Sequence, residues 1–263
     1  MGLAVALLCG GVQAAEVLDR SSLELGFSTN ALDGAFAVNG RAGVSGTEID
    51  VDRDLDVGGR DRSRSYALRW RPFERHEFAL RRQSYQRSGD RTITRDLVFD
   101  GQTFAVNSRV RGELDLELWS FDYLWWPWVI ERQALAVSVG ALQYRLGVSL
   151  DARNLPGGGQ PTPVRAEVSE DLPVLVLGTE YRQLLSDRWR LLARAAVFKA
   201  SVGRVEGTVY NVEAGVEYAL TEHASLALRY LTTRLDANAE RAGFDGTLAL
   251  DLAGVQTALM WRW

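Results

Sequence analysis

The stretch Val255-Gln-Thr-Ala-Leu-Met-Trp-Arg-Trp263 ends the chain and alternates between two kinds of side chain. Every second residue from Val255 to Trp263 falls on one face, which carries valine, threonine, leucine and two tryptophans. The intervening residues, from Gln256 to Arg262, fall on the other face. A repeat of two residues is typical of a β-strand, because successive side chains point to opposite sides of the backbone. The stretch therefore predicts a terminal strand with one apolar face and an aromatic last residue.

Nine further segments alternate in the same way. They lie at 23–28, 66–71, 78–87, 113–125, 135–139, 175–182, 189–197, 210–218 and 224–230. Helical spacing would place charges on the apolar face of each segment. The pattern slips near Leu118-Trp119, which predicts a β-bulge there. The sequence thus predicts an all-β fold of about ten strands, with eight to twelve compatible with the pattern.

The connections between these segments alternate between short and long. Short ones are predicted at 71–76, 127–133, 185–188 and 220–223, and long ones at 30–61, 88–112 and 150–169. More modest connections lie at 202–207 and 236–246. This order is typical of membrane barrels, in which short periplasmic turns alternate with longer external loops.

The start of the chain is an apolar run that ends in small residues, as in a secretory signal peptide. Val12-Gln-Ala14 suits cleavage after Ala14, which assigns residues 1–14 to the signal peptide and 15–263 to the barrel. Because no lysine or arginine precedes the apolar core, a frayed apolar N-terminus is the alternative. The only cysteine, Cys9, lies in this run, so cleavage would leave no thiol for a disulfide or a metal.

Seven of the eight tryptophans fall near a predicted short turn or near the end of the last strand. They are Trp70, Trp125, Trp126, Trp128, Trp189, Trp261 and Trp263. Only Trp119 lies elsewhere. Indole rings favour the membrane–water interface, where the apolar ring and the polar N–H are both accommodated. These seven residues are therefore predicted to be membrane-interface aromatics at one end of the barrel.

The terminal aromatic residue, the export signal, the alternating strands and the tryptophan band together resemble small bacterial outer-membrane β-barrels, in the broad OmpA-like and OmpW-like sense. The resemblance implies a closed antiparallel up-and-down transmembrane barrel in the outer membrane, with both termini periplasmic. It implies contact with outer-membrane lipid and lipopolysaccharide, and recognition of the C-terminal strand by the barrel-assembly machinery. A closed barrel has no free strand edge, so we expect a monomer. A soluble lipocalin-like barrel would alternate equally well, but it would not explain the export signal and the tryptophan band.

Composition excludes two other classes of protein. Hydrophobic residues make up 46% and charged residues 24%, and no stretch of about 18 apolar residues occurs, which excludes a membrane-spanning helix. The net charge is −4, Lys199 is the single lysine, and no basic tract is present. These features predict that the protein does not bind nucleic acid.

The face opposite the apolar one carries many charges. They are Glu24, Arg69, Arg71, Glu180, Arg182, Arg190, Arg194, Glu213, Glu217 and Arg229. Gly26, Gly178 and Gly215 lie among them, where long arginines would need space. One interpretation is a selectivity zone for a polar solute in a narrow pore. The favoured one is an ion-pair network that fills a closed lumen, because unpaired charges there would be costly and about ten strands enclose little space.

The acidic segment 47–56 is a weak candidate for a metal site. Fully extended, it would align five carboxylates on one face, those of Glu48, Asp50, Asp52, Asp54 and Asp56, and carboxylates are the ligands that Ca²⁺ and Mg²⁺ prefer. Asp50, Asp52 and Asp54 are the candidate ligands, although Leu55 stands where an EF-hand loop requires glycine. The favoured interpretation is a solvated strand extension paired with the arginines at positions 60, 62 and 64. No cofactor is predicted.

The number and the positions of the histidines decide between the candidate functions. The chain has only His76 and His223, both in predicted short turns. Barrel enzymes of the outer membrane, such as omptin proteases, phospholipase A and lipid A deacylases, use histidine near the outer side, where the base must reach the hydroxyl or water that it activates. The leading hypothesis is therefore a non-enzymatic barrel for envelope integrity or surface interaction. A narrow passive channel is the second hypothesis, and a lipid- or peptide-modifying enzyme is the third.

Overall fold

The computed structural model describes residues 16–39, 45–57, 59–154, 162–202, 205–240 and 245–263. The predicted signal peptide, residues 1–14, lies outside the described residues. Among the residues described, no helix is long and apolar enough to cross a membrane.

The described residues form thirteen strands. They are β1 (Ser21–Val38), β2 (Ile49–Asp50), β3 (Gly59–Phe73), β4 (His76–Thr92), β5 (Leu97–Phe99), β6 (Gln102–Phe104), β7 (Arg109–Ile130), β8 (Gln133–Asn154), β9 (Thr162–Leu184), β10 (Trp189–Val202), β11 (Val205–Ala219), β12 (Ala224–Glu240) and β13 (Asp245–Arg262). All except β2, β5 and β6 form the barrel wall, each antiparallel to its neighbours in chain order. The last strand pairs with the first, with Trp261 opposite Leu23 and Leu259 opposite Leu25. The prediction of a closed, antiparallel barrel of about ten strands is confirmed.

The two ends of the barrel differ. At the terminal end lie residues 16–20, Trp263 and four tight connections, at 74–75, 131–132, 185–188 and 220–223. The opposite end, called the loop end below, carries the connection from β1 to β3, which contains β2, and the one from β4 to β7, which contains β5 and β6. Long connections are therefore present from β1 to β3 and from β4 to β7, as predicted. The predicted long connection at 150–169 is wrong, because the strands reach further toward the loop end: β8 continues to Asn154 and β9 begins at Thr162, and only two residues separate β10 from β11.

The inward and outward faces of the barrel wall exchange polarity along the barrel axis. This inversion is seen in β7. Near the terminal end, Phe121 faces outward and is 51% exposed, whereas Asp122 faces the lumen and is buried. Near the loop end the same strand turns Asp115 outward and buries Leu114 and Leu116. A strand needs about 9–11 residues to cross a bilayer, and β7 has 22. Its outer face is thus apolar for about one bilayer crossing and polar beyond it.

The predicted bulge at Leu118-Trp119 is wrong. The pairing of β7 with β4 and β8 runs without interruption through both residues. Leu118 points into the lumen on the loop side of the inversion, where inward residues are apolar. Together with the outward Trp119 it gives two adjacent apolar residues, which resemble a slip in the alternating pattern. The irregularity in β7 lies instead between Trp125 and Trp128, around Pro127, and proline cannot donate to the sheet ladder.

A hydrophobic core closes the loop end. Inward side chains of the wall, such as Leu150 and Leu250, pack with buried residues from the two long connections. The 45–57 connection contributes Ile49 and Val51, and the β5–β6 hairpin contributes Phe99, whose ring meets Phe36 edge-on at 5.9 Å. The residues from the connections that join this core are Ile49, Val51, Leu55, Val57, Ile93, Leu97, Phe99 and Phe104. The loop-end part of the barrel is thus built like a soluble β-barrel.

The β5–β6 hairpin turns on Asp100-Gly101, which have φ angles of 48° and 73°. An Asp-Gly pair in the left-handed region is typical of a type I′ turn, whose twist matches that of the paired strands. The amide of Thr47 donates to the carbonyl of Val98 at 2.8 Å. The hairpin is therefore fixed against the other long connection.

Two glycines provide a test of the side-chain packing in the barrel. A Cβ on the inward Gly215 would lie 2.4 Å from the carbonyl oxygen of Leu228 and 2.6 Å from Cγ of Arg229, whereas one on Gly147 would meet only Asp115 at 3.7 Å. We expect Gly215→Ala to lower the free energy of unfolding by about 1–3 kcal/mol through overpacking, and Gly147→Ala to change it by less than about 0.5 kcal/mol. Urea titration in detergent micelles measures both variants. Equal effects of the two substitutions would contradict the packing described here.

Candidate functional site

Two ion-pair networks fill the lumen in the terminal half of the barrel. Nine of the ten charged residues expected there from the sequence take part; Arg71 is the exception. Five further residues join them, namely Asp19, Glu77, Arg81, Asp122 and Arg262. The networks contain seven arginines and seven carboxylates in total and are named here after their most central carboxylates, Glu180 and Glu217.

The Glu180 network joins strands β3, β4, β7, β9 and β10. Arg69 donates to Glu77 at 2.6 Å and to both oxygens of Glu180 at 2.9 and 3.1 Å. Arg182 donates to the same two carboxylates, at 2.8 Å in each case. The network continues to Asp122, which accepts from Arg81 at 2.6 Å and from Arg194 at 2.9 Å. It contains four arginines and three carboxylates.

The Glu217 network lies on the other side of the lumen, on strands β1, β10, β11, β12 and β13. Arg229 holds Glu24 in a bidentate pair, with distances of 2.6 and 2.8 Å, and donates to Glu217 at 3.1 Å. Arg190 donates through Nε to Glu217 at 2.7 Å. Arg262 contacts Glu217 at 3.3 Å. Glu213 lies 3.4 Å from Arg229, and Asp19 completes the set, which has three arginines and four carboxylates.

The two networks balance each other. The Glu180 network has one excess positive charge and the Glu217 network one excess negative charge, so the terminal half of the lumen is neutral. Glu180 is 0% exposed and Arg182 2% exposed, which leaves no room for water between them. A buried charge is tolerated when opposite charges lie close to it and hydrogen bonds replace most of its contacts with water. The dense pairing therefore both stabilises these groups and blocks the lumen at this level.

Residues 16–20 close the terminal mouth of the barrel. Val17 and Leu18 are buried against the inner wall. Arg190 donates to the carbonyl of Glu16 at 3.0 Å and to Asp19 at 2.7 Å. Burial alone would raise the pKa of Asp19, but the guanidinium groups of Arg190 and Arg262 lower it below its ordinary value. Asp19 therefore remains ionised and fixes the segment to the Glu217 network.

Arg71 departs from the predicted lumen network. It lies next to the tight β3–β4 connection and donates to three backbone carbonyls, those of Leu18, Asp19 and Glu74, at 3.0–3.1 Å. The strand register is irregular between Trp70 and Phe73, so the residue lies at the mouth and not among the carboxylates. Its guanidinium anchors the segment that enters the mouth.

Trp126 is a second correction, because its side chain is 0% exposed and lies inside the barrel. Trp125 faces outward, so its neighbour Trp126 must face inward, and the bulge around Pro127 then turns Trp128 outward again. The guanidinium of Arg182 lies 4.6 Å from the centre of the Trp126 ring, a cation–π contact. Trp126 therefore packs beneath the Glu180 network, together with Leu18.

The other six predicted interface tryptophans face outward and are 44–58% exposed: Trp70, Trp125, Trp128, Trp189, Trp261 and Trp263. All lie close to the terminal end. Trp189 pairs with Tyr218 across the sheet, with ring centroids 4.9 Å apart. They form part of a continuous apolar outer face, for which a hydrocarbon environment is the natural medium.

A cavity of about 110 Å³ lies between the networks and the loop-end core. Arg81, Arg194 and Glu213 line its charged side, and Leu118, Tyr144 and Leu252 its apolar side. A space of this size accommodates several water molecules. The Glu180 and Glu217 networks separate it from the terminal mouth.

The acidic segment does not form the extended row of carboxylates that the sequence suggested. Asp50 ends β2 and residues 51–55 form successive turns, with the amide of Asp54 bonded to the carbonyl of Asp50 at 3.1 Å. The Asp50 carboxylate accepts from the amides of Asp52 and Arg53, whereas Asp54 is buried and pairs with Arg95 at 2.7 Å. Within the described part of the chain, no three acidic, histidine or cysteine side chains come together in a way that could hold a metal ion.

Asp54 has a structural role that the sequence did not indicate. Burial would raise its pKa, but hydrogen bonds from Arg95, the Asp50 amide and Arg53 together lower it below the ordinary value. The stabilisation from this carboxylate is thus present above its unfolded pKa and is lost as the pH falls through the lower folded value.

Both histidines lie at the terminal end, as predicted. His76 Nδ1 shares a 2.6 Å hydrogen bond with the Tyr123 hydroxyl, and His223 Nδ1 lies 3.2 Å from the carbonyl oxygen of Arg262. Neither contact includes a serine or an aspartate side chain.

The sequence prediction omitted several lumen residues. Glu77, Arg81 and Arg262 alternate with outward apolar residues and could have been found by their positions in the alternating pattern, whereas Asp19 precedes the first strand.

No protein-family model and no curated protein sequence matches this chain. Among solved structures, it is similar to the outer membrane protease OmpT from Escherichia coli, with a TM-score of 0.57 and 10% identity over 92% of this chain and 97% of that chain. Weaker likenesses are to the P. putida toluene transporter TodX (TM-score 0.38, 10% identity, 94% and 91% covered) and to Ail from Yersinia pestis (TM-score 0.36, 7% identity, 93% and 99% covered). Such identities concern the fold alone: this chain has the closed ten-strand fold of outer-membrane β-barrel proteins.

The Glu180 network predicts a large cost for removing its central carboxylate. Glu180→Gln keeps the shape but leaves Arg69 and Arg182 short of a negative partner in a dry lumen, so we expect the free energy of unfolding to fall by about 3–5 kcal/mol. Asp251→Asn is the control, because its carboxylate is 60% exposed and lies 3.8 Å from Arg234; we expect a change below about 1 kcal/mol. Urea-induced loss of the heat-modifiable gel band measures both. A Glu180→Gln effect no larger than the control would refute the role of the network.

Proposed function

We propose that this protein is a non-enzymatic integral barrel of the bacterial outer membrane, closed to solutes, which contributes to envelope integrity or to surface interactions through its loop end. The observation that carries this proposal is the burial of paired charges across the lumen. Glu77, Glu180, Arg182, Arg190 and Glu217 are each at most 2% exposed, although they lie on the axis of a barrel. A conducting pore would keep such groups in contact with water.

Two further layers support a closed barrel. Residues Val17 and Leu18 fill the terminal mouth together with Trp126, and the loop-end core covers the opposite side of the central cavity. A solute would have to displace a chain segment, an ion-pair layer and a hydrophobic core in turn. The charged lumen therefore supports a structural role better than a selectivity role.

The arrangement of the chain supports an orientation with both termini and the tight turns in the periplasm and the loop end outside, as is usual for such barrels. The outer apolar face would contact outer-membrane lipid and lipopolysaccharide, and β13, with its aromatic end, would be the segment that the assembly machinery recognises. Closure of β13 onto β1 leaves no barrel-wall edge for a partner, which favours a monomer.

An enzymatic role has less support. OmpT is a protease, but at 10% identity the likeness does not extend to activity. In this chain both histidines lie at the terminal end and bond to a tyrosine hydroxyl or a backbone carbonyl. Among the described residues of the loop end, apolar side chains pack into a core, and neither histidine lies there.

Planar-bilayer recording tests closure directly. We expect the refolded protein to insert without discrete conductance steps, because the ion-pair networks and the loop-end core interrupt the water path on either side of the cavity. The double variant Arg190→Ala, Arg194→Ala removes one arginine from each network, and we expect it to show intermittent openings or a lower unfolding midpoint. Arg109→Ala, at an exposed outer site, is the matched control and should stay silent. Reproducible openings of the unmodified protein would contradict the proposal and favour a narrow passive channel.

A further inference from the structure

Trp119 is the one outward-facing tryptophan that does not belong to the terminal band. It faces outward from β7 and is 39% exposed, at the height where the outer face changes from apolar to charged. On the terminal side of it, β7 presents Phe121 and Tyr123 outward; on the loop side it presents Glu117 and Asp115. Trp119 therefore marks the second boundary of the apolar belt, opposite the terminal tryptophans.

Two arginines from neighbouring strands meet at this boundary. Arg82 of β4 contacts Glu117 at 2.6 Å, and Arg145 of β8 contacts the other oxygen of Glu117 at 3.3 Å. The Arg82 guanidinium also lies 5.3 Å from the centre of the Trp119 ring, whose N–H donates to Glu117 at 3.2 Å. Glu117 is 22% exposed, whereas Arg82 and Arg145 are 44% and 54% exposed. The carboxylate is thus less exposed than the two guanidinium groups that it binds, and it holds them on the outer surface of the barrel.

The sheet register places a third arginine beside this pair. Arg64 of β3 pairs with Ser84, which in turn pairs with Glu117. On the two cross-strand rows that contain Glu117 and Trp119, counted over β1, β3, β4, β7, β8 and β9, the register places three arginines and two carboxylates, Glu117 and, opposite Arg145, Asp171. The surface defined by Arg64, Arg82, Glu117, Trp119 and Arg145, called the boundary patch here, therefore carries excess positive charge.

We propose that the boundary patch binds the phosphate headgroup of an outer-leaflet lipid. The proposal rests on the membrane placement proposed above. Guanidinium groups bind phosphate through paired, charge-assisted hydrogen bonds, and a basic cluster at the membrane surface is the usual device for anionic headgroups. Glu117 neutralises only part of the charge and fixes the geometry of two arginines before a ligand arrives, which lowers the ordering cost of binding.

The position of the patch favours a lipid over a free phosphate ion. Directly on the terminal side lie exposed apolar side chains, including Tyr66, Leu80 and Phe121. A lipid with its phosphate on the arginines would lay its acyl chains along these residues, so one ligand satisfies both surfaces. A free anion would use only the charged one, which is open to water and to salt screening.

The test uses the full-length mature barrel in neutral detergent and native mass spectrometry. The probes are a bisphosphorylated acylated glucosamine disaccharide, the same lipid with its phosphates removed, and inorganic phosphate. The test variant is Arg82→Gln, Arg145→Gln. The matched control is Arg109→Gln, Arg111→Gln, which removes two outward arginines of β7 that also pair with carboxylates, at 2.6 and 2.9 Å, but lie further from the belt.

We expect the unmodified barrel and the control to bind the bisphosphorylated lipid with affinities within about twofold of each other, and the test variant to bind it at least about tenfold more weakly, since each arginine near an anionic headgroup contributes a several-fold factor. Unaltered unfolding midpoints in urea verify that both variants are folded. We also expect the dephosphorylated lipid to bind the unmodified barrel as weakly as the bisphosphorylated lipid binds the test variant.

Three results would overturn the assignment: equal binding by the test variant and the control, equal binding of the phosphorylated and dephosphorylated lipids, or displacement of the lipid by an equimolar amount of inorganic phosphate, which would identify a simple anion site. Flotation with phosphatidylcholine vesicles separates this failure from that of the proposed function. A barrel that floats but does not discriminate between the lipids lacks the headgroup site only, whereas one that does not float refutes the membrane placement and the site together.

Discussion

Backbone amides and carbonyls in a hydrocarbon layer have no water to bond with, so a β-structure can cross a membrane only as a closed ladder. Pairing of β13 with β1 meets this requirement, and it has a second consequence. Once the wall is closed, every strand has one face toward the axis and one toward the surroundings, while the surroundings change from lipid to water along its length. The inversion seen in β7, from outward Phe121 to inward Leu116, follows from that change of medium.

Inside the lipid-facing segment, the lumen is too narrow to hydrate its charges, and pairing takes the place of water. Glu180 and Glu217 each gather several arginines, and the opposite net charges of their networks cancel across the axis. Beyond the lipid, the lumen needs no charges, and apolar residues from the wall and from the two long connections close it by ordinary core packing. The protein thus combines a salt-bridged lipid-facing barrel with a hydrophobic core at its loop end. This construction supports the proposed closed barrel.

Much of this architecture can be predicted from the alternation of residues between the two faces of each strand. The number of strands, the positions of the four tight connections and nine of the ten lumen charges follow from the two-residue repeat of the sequence. The errors arise where the medium changes. The sequence predicts a bulge at Leu118 because the inward face is apolar there, and it predicts loops at the ends of β1 and β8 for the same reason. Trp126 is predicted on the lipid face from its residue type, although its position in the alternating pattern places it inside. Residue 19 precedes the first strand, so no repeat could place Asp19 beside Arg190.

The inversion is the central claim, and site-directed spin labelling along β7 tests it most directly. Cys9 is the only cysteine and lies in the predicted signal peptide, so labels can be introduced one at a time in a background without other thiols. In liposomes, a label at Phe121 should collide with oxygen dissolved in the bilayer, and one at Asp115 with a water-soluble nickel chelate. A label at Leu116 should be shielded from both reagents. Lipid exposure at 115, or free access of the nickel chelate to 116, would contradict the account.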